Sequence, residues 1–156
     1  MNYQRMELYR CFARVVHVLE SARNFCSVMA AVRKIIQSAA APKPVGPYNQ
    51  AVLSGNTLYI SGVLGLNPSS GKLVAGGAKE QATQIFKNMS EILKEAGGDF
   101  TNVVKTTILL ADMGDFSTIN AVYSENFKEP YPARSTFQVA KLPLEAQVEI
   151  EAIAHI

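Results

Sequence analysis

Three features of this chain predict an α+β fold with two helices on one face of a sheet. Segments that alternate with period two and segments with apolar positions every three or four residues follow one another in the order ββαβαββ. At 156 residues and 48% hydrophobic content the chain fits one domain with a core of its own, and no run is long and apolar enough to span a bilayer. Two of the strands carry apolar residues on both parities, so they need cover on a second face that two helices cannot supply.

The elements follow in order. In the first 28 residues Leu8, Phe12, Val15 and Leu19 have helical spacing, with arginines at 5, 10, 14 and 23 between them. Such a leader fits a mitochondrial transit peptide, although Glu7, Glu20 and the shortage of serine count against it. Met29 followed by Ala30-Ala31-Val32-Arg33-Lys34 resembles a second start site. We therefore expect residues 1–28 to lie outside the fold, as a targeting segment or an alternative N-terminus, and one domain over residues 29–156.

The body of the domain begins after Ala39-Ala40-Ala41-Pro42-Lys43-Pro44, where proline favours extended backbone. Tyr48 to Leu53 and Thr57 to Leu64 read as strands about the turn residues Ser54-Gly55-Asn56. A Pro, Ser and Gly-rich loop covers 67–77. Ala82, Ile85, Phe86, Met89, Ile92, Leu93 and Ala96 then form one helical face that stops at Gly97-Gly98. Val103 to Ala111 is a β-branched, apolar strand, and Asp115 is placed to cap a helix carrying Phe116, Ile119, Val122, Tyr123 and Phe127. Pro130 and Pro132 end that helix. Arg134 to Ala140 and Gln147 to Ile153 are the last strands, joined across Leu142-Pro143-Leu144. For the uncovered sheet face the economical partner is a second copy of the chain in a closed symmetric oligomer, the alternative being cover by loops or the leader.

Charge and rare residues exclude several chemistries. The formal charge of +2 comes from the first 40 residues, at net +4; residues 41–156 hold nine cations and eleven acids. That acidic body lacks the basic stripe of a nucleic-acid binder. Both cysteines, Cys11 and Cys26, lie in the leader, and the two histidines are His17 and His155. The body therefore has no disulfide framework, no thiolate metal site and no histidine pair for acid–base work. Carboxylates, hydroxyls, backbone groups and water remain.

Among the nine cations of residues 41–156, eight are lysine and one is arginine, Arg134, in Tyr131-Pro132-Ala133-Arg134-Ser135. A guanidinium grips a carboxylate or phosphate through two parallel hydrogen bonds, which a lysine cannot do. On its own, Arg134 is either such a fork or a chance surface arginine. In Gln147-Val148-Glu149-Ile150-Glu151-Ala152-Ile153 the two carboxylates share one face and Val148, Ile150 and Ala152 the other. Glu149 and Glu151 are either a solvated polar face or, if partly desolvated, groups able to hold a proton or orient a water.

Two motif matches fail. Gly65 to Leu73 resembles a phosphate loop, but five residues separate its glycines and Leu73 stands where Ser or Thr would bind magnesium. Asn88-Met89-Ser90 matches a glycosylation sequon inside a predicted helix of a chain without a secretory signal.

Five separated blocks carry a family resemblance: Gly46-Pro47-Tyr48-Asn49-Gln50-Ala51, Leu58-Tyr59-Ile60-Ser61-Gly62, Asn102-Val103-Val104-Lys105-Thr106-Thr107, Pro132-Ala133-Arg134-Ser135 and Val148-Glu149-Ile150-Glu151-Ala152. In this order, over about residues 30–156, the chain resembles the RidA (YjgF/YER057c/UK114) family. The resemblance implies a chorismate-mutase-like subunit with a mixed sheet and two helices on one face, assembled as a homotrimer with clefts between subunits. It implies a deaminase that hydrolyses 2-iminobutanoate and 2-iminopropanoate to keto acids and ammonia, with no cofactor and no metal. By the same match Arg134 clamps the substrate carboxylate and Glu149 positions or activates water. Tyr48, Ser61, Gly62 and Asn120 line the remainder of the pocket. Many members have cysteine two residues after the arginine; Thr136 stands here, which argues against covalent catalysis and leaves Thr136 as a hydrogen-bonding wall of the substrate pocket. The expected partners are the small imino acid and two further copies, with neither nucleic acid nor membrane, in the cytoplasm or, if the leader is a transit peptide, the mitochondrion. The alternatives are an endoribonuclease or translation inhibitor, and a chaperone-like trimer that binds small carboxylates without turning them over.

Overall fold

The computed structural model describes residues 33–156; the expected leader and the first residues of the expected domain lie outside the described residues. The elements are β1 (Arg33–Ile36), β2 (Ala51–Ser54), β3 (Thr57–Leu64), α1 (Ala78–Ala96), β4 (Val103–Leu110), α2 (Phe116–Asn126), β5 (Ala133–Gln138) and β6 (Val148–His155). They form one six-stranded sheet in the order β1-β2-β3-β6-β4-β5. Every neighbouring pair is antiparallel except β4 and β5, which are parallel because α2 carries the chain back between them. This is the expected α+β arrangement, a mixed sheet with two helices on one face.

The core lies between that face and the helices. From α1 come Ile85, Phe86, Met89 and Leu93, from α2 Ile119, Val122 and Tyr123, and from the sheet Leu58, Ile108, Leu110, Val148 and Ile150, all buried. Each such side chain is worth roughly 1.5–3 kcal/mol when taken out of water. Polar anchors fix the ends of the strands. Asn88 donates from Nδ2 to the carbonyls of Leu64 and Leu66, and Gln81 accepts from the backbone N–H of Gln147 just before β6. Asn88 is 1% exposed and spends its amide inside the protein, which removes the sequon reading.

Helix α1 ends where the glycines predict. Gly97 takes φ 93°, and Gly98 and Gly97 donate to the carbonyls of Leu93 and Lys94. Its start has no capping oxygen at Gly77, so Glu80 closes it from the other side by accepting from the Gly77 N–H at 2.8 Å.

Four expectations change. Strand β1 was not foreseen, because three of its four residues are exposed and show no alternation. Tyr48 lies before β2 in a loop, not in the strand. Asp115 makes no capping bond; Asp112 accepts from Gly114 N–H instead, and the 3₁₀ turn Met113–Asp115 leads into α2. The last two strands have other bounds, Ala133–Gln138 and Val148–His155 in place of 134–140 and 147–153, and β6 sits between β3 and β4 while β5 takes the edge beside β4.

The face away from the helices is partly covered by the chain itself. Leu64, Leu66, Leu142 and Ala146 form a second small core there with Leu109 and Val139 packed on it. Beyond that patch Tyr59 and Phe137 are 51% and 56% exposed. No helix among the described residues is long and apolar enough to cross a membrane.

Candidate active site

Arg134 is the second residue of β5, and register decides which way it faces. It pairs with Thr106 of β4, whose fully buried side chain points to the helices, so Arg134 stands on the helix face of the sheet at its exposed edge. The guanidinium carbon lies over the Tyr123 ring, 4.7 Å from its centre, and 5.7 Å from that of Phe116. Phe116, Asn120 and Tyr123 are three and four residues apart on α2 and share one stripe. The Tyr123 hydroxyl is hydrogen-bonded to Thr106 Oγ1 at 2.9 Å. Burial raises the Tyr123 phenol above the ordinary tyrosine value, against opposing effects of the Thr106 bond and the Arg134 charge, so the hydroxyl keeps its proton.

Thr136 lies two residues beyond Arg134 and so faces the same way. Its Oγ1 is buried without a hydrogen-bond partner among the described residues. A buried hydroxyl left unpaired costs about 1–3 kcal/mol, which makes it a group in want of a ligand or a water. Arg134, Thr136 and Asn120 thus form one half of the expected site.

The other half is on the opposite face. Glu149 pairs with Leu109 and Leu64, in alternation with fully buried Val148 and Ile150, so its carboxyl points away from the helices. The carboxyl crosses Gly62 so closely that a β-carbon on Gly62 would collide with Oε1. Burial, and after it the like charge of Glu151, raise the Glu149 pKa above its ordinary value. Ser61 and Gly62 lie in the register shift of β3 against β6. Beside that shift Ser61 donates its N–H to the Gln50 carbonyl at 3.0 Å, one step beyond the Ala51–Ile60 pair of β2 and β3, and its hydroxyl to the Asn49 carbonyl at 2.7 Å. Pro42, Pro44, Tyr48, Ser61 and Gly62, together with Val63 and with Ile92 of α1, border a cavity of about 40 Å³, with space for a few waters; Glu149 does not line it.

The cavity wall owes its shape to Gln50, a residue to which the sequence reading assigned no role. Gln50 is 6% exposed, accepts from Ser38 N–H at 2.7 Å and donates to the carbonyls of Ser38 and Pro42 at 3.1 and 2.8 Å. It ties the Pro42–Pro44 segment to the start of β2. Tyr48 in turn accepts from Val45 N–H at 3.3 Å and is 46% exposed.

The chain therefore turns Glu149, packed across Gly62, to one side of its sheet and Arg134 and Thr136, facing the α2 stripe that holds Asn120, to the other, while Tyr48 shares a cavity with Ser61 and Gly62. It does not bring the two groups together. Such a division defines a class of small α+β protein that displays a cationic fork and a partly desolvated carboxyl on different surfaces.

Residues 38–156 match the family model described as Endoribonuclease L-PSP. The chain is 58% identical over 123 residues to the human protein named 2-iminobutanoate/2-iminopropanoate deaminase, covering 79% of this chain and 90% of the human one. It superposes on RidA from the Antarctic bacterium Psychrobacter sp. PAMC 21119 with a TM-score of 0.77 at 48% identity, over 79% of this chain and 99% of that one. TdcF of E. coli, solved with bound serine, superposes with a TM-score of 0.74 at 39% identity over 79% and 98% of the two chains. The chain belongs to the RidA family.

Proposed function

We propose that this protein hydrolyses 2-iminobutanoate and 2-iminopropanoate to the 2-keto acids and ammonia, in a homotrimer whose sites lie between subunits. The single observation that carries this reading is the division of the site: Arg134 and Glu149 face away from each other across one sheet, so both can touch one ligand only if different copies supply them. Relatives bearing the deaminase name support the substrate. The exposed Tyr59 and Phe137 on the Glu149 face support self-association.

In this reading Arg134 fixes the substrate carboxylate by paired hydrogen bonds and so orients the planar C=N for attack. Thr136 gives its unpaired hydroxyl to the same ligand, and Asn120 braces it. On the other side Tyr48, Ser61 and Gly62 wall the pocket while Glu149 takes a proton from water as the water oxygen bonds to the carbon of the protonated imine, giving a neutral carbinolamine. Glu149 returns that proton to the amine nitrogen; the C–N bond breaks and ammonia leaves as the hydroxyl oxygen forms the keto C=O and passes its proton back to Glu149 and on to solvent. No step calls for an oxidant, a cofactor or a metal. An imine hydrolyses in water unaided, so positioning and one proton relay suffice for a useful rate.

The test is release of 2-oxobutanoate from freshly generated 2-iminobutanoate, with RNA cleavage measured beside it. Turnover of the imine supports the proposal; RNA cleavage without imine turnover, or keto-acid binding without turnover, supports the endoribonuclease or the carboxylate-binding trimer instead. We further place residues 1–28 outside the working domain, with the protein in the cytoplasm or, through that leader, the mitochondrion. Protein starting at Met29 keeps β1 whole and should match the full chain in oligomeric mass and turnover; loss of either would put the leader inside the domain.

A further inference from the structure

We infer that Tyr123, with Phe116, is a positioning residue for this reaction, holding the Arg134 guanidinium so that its donors are presented to the substrate carboxylate. The inference rests on the reading of Arg134 as the carboxylate anchor. An arginine on an exposed edge strand has many rotamers, and ordering its side chain costs roughly 2 kcal/mol. Among the described residues no carboxylate pairs with Arg134. What meets it instead are two ring faces, at 4.7 and 5.7 Å.

The difference matters chemically. A carboxylate partner would fix the guanidinium but also neutralise it and occupy its donors. A ring attracts the cation through its quadrupole and leaves the five N–H groups for a ligand.

The cradle is itself held firmly. Tyr123 is 4% exposed, packed edge-on against Phe86 at 6.0 Å between centroids and tilted against Phe127 at 4.5 Å. Its hydroxyl meets Thr106 Oγ1 at 2.9 Å, and Thr106 is the residue with which Arg134 is in register across the β4–β5 ladder. Both partners of the cation–ring contact are thus referenced to one buried residue of β4. The guanidinium is set relative to the sheet, and hence to the Thr136 hydroxyl on the same face.

The experiment compares Tyr123→Leu, Tyr123→Phe, Phe116→Leu and Arg134→Lys for kcat and KM on 2-iminobutanoate. Calorimetric affinity for 2-oxobutanoate, melting temperature and oligomeric mass are measured on each. Tyr123→Leu and Phe116→Leu should raise KM and the keto-acid Kd by about three- to tenfold, with kcat changed by less than about threefold, the size of a partly desolvated cation–ring contact. Tyr123→Phe should recover most of that lost affinity, since the ring remains, while melting lower because Thr106 loses its partner. A folded Tyr123→Leu with wild-type KM and keto-acid affinity would overturn the inference, and so would equal losses in Tyr123→Phe and Tyr123→Leu. Should Tyr123→Leu not fold, Phe116→Leu, half-buried at the start of α2, decides alone. Should the wild type not turn over the imine, the keto-acid affinities decide. Arg134→Lys separates the two readings: if it binds and turns over like wild type, the anchor assignment falls and takes the cradle with it. If it fails while both ring variants behave as wild type, only the cradle falls.

Discussion

The carboxyl of Glu149 occupies the space that a side chain on Gly62 would need. A β-carbon there would fall against Oε1, Cδ and Cγ of Glu149, all on one flank of the bulge in β3. Glycine is required here for close approach, since Gly62 is not among the glycines with positive φ.

Gly62→Ala should therefore act on turnover through Glu149 more than on the fold. The carboxyl must rotate away, so kcat should fall by about tenfold or more, while overpacking at a sheet surface costs about 1–3 kcal/mol. Steady-state kinetics and a melting curve check it; unchanged kcat with a lowered melting temperature would make Gly62 a packing residue only.

Arg134→Lys and Glu149→Gln should fail in different ways. The first keeps the charge but loses the paired grip, and kcat/KM should drop about ten- to hundredfold with weaker keto-acid binding. The second keeps size and hydrogen bonding but cannot relay a proton. Its kcat should drop about a hundredfold or more with keto-acid affinity retained. Near-normal hydrolysis by either variant, at wild-type oligomeric mass, would remove that residue from its role.

Those two inactive variants should rescue each other. In the proposed trimer, co-expressing Arg134→Lys and Glu149→Gln chains gives mixed assemblies in which one interface receives the intact arginine from one chain and the intact glutamate from the other. Random assembly in equal amounts should restore about a quarter of the wild-type sites. Activity no higher than the mean of the two separate variants would place both residues of a working site in one chain.

Glu149 also predicts a pH dependence. It must be ionised to take a proton from water, so turnover falls as pH drops through its pKa, which burial and Glu151 hold above the usual glutamate value. Glu151→Gln removes the like charge and should lower that pKa, so the acid limb of kcat moves to lower pH. A limb that stays put in Glu151→Gln would show that another group controls it.

Legibility in the sequence followed the strength of the burial pattern. Helix α1 was readable because nine of its nineteen residues are buried along one stripe that ends at Gly97. Strand β6 was readable because buried and less buried residues alternate along its whole length, which also put Glu149 and Glu151 together on the correct face. Strand β5 gave no such signal. It lies at the sheet edge with no buried residue, so nothing in its composition says that Arg134 and Thr136 turn toward α2. The order of strands was hidden for a related reason: β6 enters between β3 and β4 through pairings far apart in the chain, which local alternation does not encode. The division of the site into two surfaces depends on both facts and became visible only with the register. The Arg134 contact with Tyr123 was within reach, since Phe116, Asn120 and Tyr123 share a stripe, but the rings read as core alone.

That division has a consequence for the unliganded chain. A guanidinium and a carboxylate that both serve one small ligand are apt to collapse into a salt bridge when the ligand leaves, and every binding event must then break it. Here a layer of backbone and side chains stands between Arg134 and Glu149. No motion of the two side chains lets them meet within one molecule, so the sheet acts as an insulator in the lone chain, and cation and carboxylate come within reach of each other only where two copies join.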